Sequence, residues 1–114
     1  MYGGDDTEIE IYTEEKGLVE ELFGIKKGDK IQITDNAELT YKGTMEFKEF
    51  DYPNIIKFTI DIIADLATIA YVARWFYEKF KKRASYIQFE RKIAKIEEGE
   101  IREVIEEELE VSSR

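Results

Sequence analysis

The sequence predicts an α+β domain: a small, mostly antiparallel sheet packed on one long central helix (about residues 54–82), with two shorter helices. Three observations carry this. Short segments near the N-terminus alternate apolar and polar residues, the period of a half-buried strand. Residues 55–80 hold 18 apolar residues out of 26 and run into a basic cluster. Residues 100–111 place Ile101, Val104, Ile105 and Leu109 at helical spacing among glutamates.

In chain order, residues 1–6 lack both a basic region and an apolar core, so they read as a short disordered tail and no signal peptide. Thr7 to Tyr12 alternates, with Ile9 and Ile11 on one face. Thr13 then suits a helix N-cap, with Glu14 and Glu15 at the positive end of the dipole. Leu18, Val19, Leu22 and Phe23 form the apolar stripe, and Gly24 closes the helix. Lys27-Gly28-Asp29 makes a turn. Residues 30–50 read as a three-stranded meander, with turns at Asp35-Asn36 and at Lys42-Gly43, the latter leading into Met45 and Phe47.

Asp51 or Asn54 can cap the long helix, and Pro53 is tolerated in a first turn. Lys79, Lys81, Lys82 and Arg83 then stand at the negative end of its dipole. Residues 86–96 fit two patterns. Tyr86, Phe89, Ile93 and Ile96 suit a helix; Ile87, Phe89 and Ile93 suit a broken strand alternation. Ser85, after a basic helix end, favours a strand or hairpin. Nothing in the 114 residues marks a domain boundary, so 1–114 is read as one domain.

The chain carries 17 basic and 26 acidic residues, for a net charge of −9, and has neither cysteine nor histidine. Disulfides, thiolate catalysis and imidazole acid–base chemistry are thereby excluded. The bias towards Lys, Glu and Ile is thermophile-like. Charge is segregated: net −8 over residues 1–53, +5 over 54–96 and −6 over 97–114. This pattern predicts that the acidic C-terminal helix docks on the basic region, held mainly by its apolar stripe, because surface ion pairs contribute only about 0–1 kcal/mol each.

Aromatic residues 75–77 followed by Lys81-Lys82-Arg83 look like the end of a membrane span. However, Asp61 and Asp65 near mid-span cost about 5–7 kcal/mol, and nine large apolar residues return only about 3–5. A spanning helix is disfavoured, and a cytoplasmic location is the default.

On the long helix, Asp61 and Asp65 fall at i and i+4, with Lys57 and Thr68 on the same side. Two carboxylates so placed can share a hard cation. The plainer account is a solvent-facing stripe with an ordinary Lys57–Asp61 pair. No cofactor or metal is expected, and Mg²⁺ should leave stability unchanged. Arg74, Lys79, Lys81, Lys82, Arg83, Arg91 and Lys92 interleave with aromatic residues, a pattern that can hold phosphates and stack bases. The overall charge of −9 opposes nucleic-acid binding.

Phe23-Gly24-Ile25-Lys26-Lys27-Gly28-Asp29-Lys30-Ile31, within residues 18–34, resembles part of the swapped-hairpin DNA-binding domains of transition-state regulators and antitoxins. That family's Ile-Pro entry is replaced here by Ile11-Tyr12-Thr13. The order of elements, with an apolar helix from Ala64 through Trp75-Phe76, a basic stop, a strand and a final amphipathic helix, resembles the small effector-associated constant components of prokaryotic conflict systems. That resemblance implies an interaction or scaffolding role and supplies no site residues.

The expected function is a non-catalytic protein-interaction or scaffolding module, with no recognisable catalytic constellation. A long helix apolar round most of its circumference needs cover on every side. The expectation is a two-fold homodimer with Phe58, Ile62, Val72 and Trp75 at or near the interface. The alternative is a nucleic-acid-associated or antitoxin-like regulator using residues 74–95. Membrane association is not expected.

Overall fold

Alternating isoleucines organise the centre of the fold. In the computed structural model, which describes residues 5–13, 18, 21, 26, 28–45, 54–63 and 65–112, six strands form one antiparallel sheet. They are β1 (Asp5–Thr13), β2 (Lys30–Thr34), β3 (Ala37–Met45), β4 (Asn54–Ile62), β5 (Tyr86–Gln88) and β6 (Ile93–Lys95). The spatial order is β2-β3-β4-β1-β5-β6. Two helices, α1 (Leu66–Phe80) and α2 (Glu98–Ser112), complete the described elements.

The long central helix over 54–82 is not formed. Its first third is β4, paired with β1 on one side and β3 on the other. Residues 54–62 contain four isoleucines, a threonine and a phenylalanine, side chains that suit a pleated, covered surface. Ile56, Phe58, Ile60 and Ile62 point into the core, while Lys57, Thr59 and Asp61 alternate to the other face. The doublets Ile55-Ile56 and Ile62-Ile63 supply apolar residues at helical spacings as well, which hides this period of two.

The helix begins only at Leu66. Asp65 is extended (φ −122°), and its carboxylate accepts from the Thr68 N–H at 2.9 Å and from the Thr68 hydroxyl at 2.8 Å. This N-cap satisfies one of the donors that a helix start leaves open. The two hydrogen bonds also hold the Asp65 carboxyl below the usual carboxylate range. At the other end, Lys81 N–H donates to the Tyr77 carbonyl, and Lys82 turns the chain with φ +63°.

β1 extends the expected strand at both ends and takes in Asp5 and Asp6 of the expected tail; residues 1–4 lie outside the described residues. Most of the helix expected over 14–23 also lies outside them, although Leu18 and Glu21 are helical and Leu18 is buried. Lys42-Gly43 is not a hairpin turn. β3 runs through it, and Gly43, at φ +123°, marks a shift in the β3–β4 register. The third strand of the meander is β4. Residues 86–96 form the β5–β6 hairpin.

One face of the sheet carries Ile9, Ile11, Leu39, Ile56, Phe58, Ile60, Ile62 and Ile87. Against it lie Ile69, Val72, Ala73, Phe76 and Phe80 of α1, and Ile101, Val104, Ile105 and Leu109 of α2, all in one core. The two helices pack on each other; α2 also runs along β6, and α1 approaches β2. Docking of the C-terminal helix through its apolar stripe is therefore observed. Among the described residues, no helix is long and apolar enough to cross a membrane.

Candidate functional site

The end of the sheet where β2 turns into β3 meets the start of α1, and an open groove of about 430 Å³ lies between them. Ile33, Thr34, Asp35, Asn36, Ala67, Thr68 and Tyr71 line it. The sequence builds its walls locally. Asp35-Asn36 forms the tight turn, with the Asn36 N–H donating to the Thr34 hydroxyl at 2.9 Å. The Asn36 carbonyl accepts the Ile63 N–H at 2.9 Å, which ties the turn to the segment between β4 and α1. The Asn36 amide reaches the Thr68 hydroxyl at 3.4 Å, so turn and helix cap are joined by one chain of hydrogen bonds.

Two large apolar side chains stand open on the first turns of α1. Leu66 is 75% exposed, and Tyr71, on the groove wall, is 56% exposed. Tyr71 lines the groove, and Leu66 precedes the lining residue Ala67 in the chain. The helical spacing of α1 turns Ile69, Val72 and Phe76 to the core and leaves Ala67 and Tyr71 outside, whereas Leu66 lies on the same side as buried Ala73 and is exposed as the first residue of the helix. A helix taken to start at 54 conceals this surface, because the true start is Leu66. The Asp65-x-x-Thr68 cap was the signal that could have placed the helix start and so exposed Leu66.

The residues expected at an interface are placed elsewhere. Phe58, Ile62 and Val72 are 1%, 0% and 0% exposed within a single chain. Trp75 is half-buried and packs edge-on against Phe76 at 5.3 Å and Phe80 at 6.4 Å. The cover that the expected long helix needs comes from the sheet and α2 of the same chain.

The basic region is spread over two places. Arg74 is exposed on α1, while Lys79, Lys81, Lys82 and Arg83 gather at its C-terminal end. Arg91 and Lys92 sit in the β5–β6 turn. Several find acidic partners: Lys81 with Glu78 at 3.3 Å, Arg83 with Glu21 at 2.7 Å, and Lys92 with Glu107. The Glu107 carboxylate holds the Lys92 ammonium above its ordinary pKa. Phe76, Phe80 and Phe89, which could have stacked bases, are core residues, and Tyr86 stacks on Tyr12 at 4.5 Å.

Asp61 and Asp65 do not share a helix face, since Asp61 lies in β4 and Asp65 caps α1. Lys57 pairs across the sheet with Glu10 at 3.9 Å. Among the described residues, no group of three or more acidic side chains could hold a metal ion. No protein-family model, curated protein or solved structure matches the chain.

Proposed function

We propose that this chain is a non-catalytic protein-interaction module whose contact surface is the groove between the β2–β3 turn and α1. The observation that carries the reading is the exposure of Tyr71 on the groove wall, with exposed Leu66 next in the chain to the lining residue Ala67. Covering a large apolar side chain contributes about 1.5–3 kcal/mol, so these two residues can anchor a partner while Asn36, Asp35 and Thr34 orient it. The reading is favoured over nucleic-acid binding because Lys81, Arg83 and Lys92 are engaged by glutamates of the same chain.

The test uses the full chain and its Leu66→Glu and Tyr71→Glu variants as baits in the native cell. Both positions are exposed, so melting temperatures should match the unsubstituted protein. A protein retained by the unsubstituted bait and lost from both variants supports the reading. Retention of every bound protein by both variants overturns it.

A further inference from the structure

The groove between the β2–β3 turn and α1 carries charge of one sign. Among its lining residues Asp35 is the one carboxylate, and none is basic. Asp65 is exposed two positions before the lining residue Ala67, and its hydrogen bonds from Thr68 favour the charged form. Elsewhere the chain answers its own acids. Lys30 meets Glu38 at 3.4 Å, Lys57 meets Glu10 at 3.9 Å and Arg83 meets Glu21 at 2.7 Å. Among the described residues no cation pairs with Asp35, and Lys30, the lysine of β2, is drawn away onto Glu38.

The opposite wall supplies an aromatic face. Tyr71 is 56% exposed on α1. The same helix shows what such a ring attracts: the Lys81 ammonium lies 5.4 Å from the Tyr77 ring centroid. Arg74, one turn beyond Tyr71, is exposed but does not line the groove.

We propose that the groove takes an arginine side chain of a basic partner protein, its guanidinium pairing with Asp35 and lying on Tyr71. This names the chemistry of the partner and rests on the reading of the groove as the contact surface. A guanidinium is planar, so it can meet a carboxylate through two parallel N–H donors and present its face to a ring. Its methylene stem can lie on Ala67 while the head stays polar. The hydroxyl of Thr34 and the amide of Asn36 stand beside Asp35 for the backbone that carries the arginine. The net charge of −9 draws a basic partner and repels an acidic one, a second copy of this chain included.

The experiment is amide chemical-shift mapping of the full chain with a blocked Ala-Arg-Leu-Ala peptide, raised to about 10 mM. Its citrulline counterpart keeps the shape and removes the charge. The expected result is saturable shifts at Asp35, Asn36, Ala67, Thr68 and Tyr71, with citrulline at least about tenfold weaker. Asp35→Asn, at an exposed turn position that suits asparagine, should weaken the arginine peptide by about tenfold or more. Tyr71→Ala should weaken it about threefold. Glu103→Gln, beside Lys92 towards the other edge of the sheet, should change nothing. Arg74→Gln should bind at least as tightly. No shift at the highest concentration overturns the proposal, and so do equal binding of the citrulline peptide or an equal loss in Glu103→Gln, which would mean general attraction to an acidic chain. Weaker binding by Arg74→Gln also overturns it, because the occupant would then be an anion. A cellular partner that Tyr71→Glu loses and Asp35→Asn retains overturns the arginine alone and leaves the contact surface standing.

Discussion

The Glu108 carboxylate on α2 accepts the backbone N–H of Arg91 at 2.8 Å, although Glu108 itself is only 4% exposed. A nearly buried acid is thus used to fasten the β5–β6 turn to the last helix. Replacing it by Leu removes the acceptor and leaves the Arg91 N–H without it, at a cost of about 1–3 kcal/mol. Glu108→Gln keeps an acceptor oxygen and should lose less. Thermal melts of the two variants check the order; equal stability would remove the role assigned to this bond.

Ending the chain after Glu97 removes Ile101, Val104, Ile105 and Leu109 from the core. At about 1.5–3 kcal/mol each, their loss is comparable with the whole stability of a small domain, about 5–15 kcal/mol. The shortened chain is expected to lose its cooperative melt by circular dichroism. A truncated chain that melts like the full one would contradict the packing role of α2.

The Thr7 hydroxyl is buried and has no hydrogen-bond partner. Thr7 lines a small cavity together with Ile60, Phe89, Ile105 and Glu108. Removing an unpartnered polar group spares its desolvation cost, so Thr7→Val should stabilise the fold by about 1 kcal/mol. Chemical denaturation gives the sign; a loss of stability would mean that the hydroxyl is paired in solution.

Lys82 sits at φ +63° just after α1, where a side chain crowds the backbone. Glycine carries no such penalty there. Lys82→Gly is therefore expected to raise stability by up to about 1 kcal/mol, net of the greater freedom glycine has in the unfolded chain. The melting temperature reports it, with Lys82→Ala as the comparison that should show no gain.

Burial, and then the Glu10 carboxylate that accepts its hydroxyl at 2.9 Å, push the Tyr12 phenol up from 10.0 to about 12. A raised native pKa means that the contribution to stability is complete below pH 10 and is lost as pH rises towards about 12. Titration of tyrosine absorbance should show one late group that Tyr12→Phe removes. Ionisation of every tyrosine together in the folded protein would contradict it.

Legibility followed the purity of the local pattern. Ile9-Glu10-Ile11 alternates cleanly and appears as β1; Ile101, Val104, Ile105 and Leu109 keep one helical stripe and appear as α2. Residues 54–62 are misleading because Ile55 and Ile63 overlay a helical spacing on a period of two, and the capping pair Asp65 and Thr68 falls at the spacing of a helix side stripe with Asp61 and Lys57. The groove was illegible for the same reason. Its walls come from β2, the Asp35-Asn36 turn and α1, which meet only once residues 54–62 pair with both β3 and β1.

The position of β1 between β4 and β5 bears on synthesis. β1 pairs Thr13 with Asn54 and Ile11 with Ile87, so both of its partners are made much later than β1 itself. Contacts so distant in sequence slow folding, because a long loop must close before they form. A nascent chain halted before residue 86 has β1 open along one side, with Ile9 and Ile11 awaiting cover. β5, β6 and α2 are thus made after every other described element and close the core, so β1 waits on residues 86–112 for its second partner and its cover.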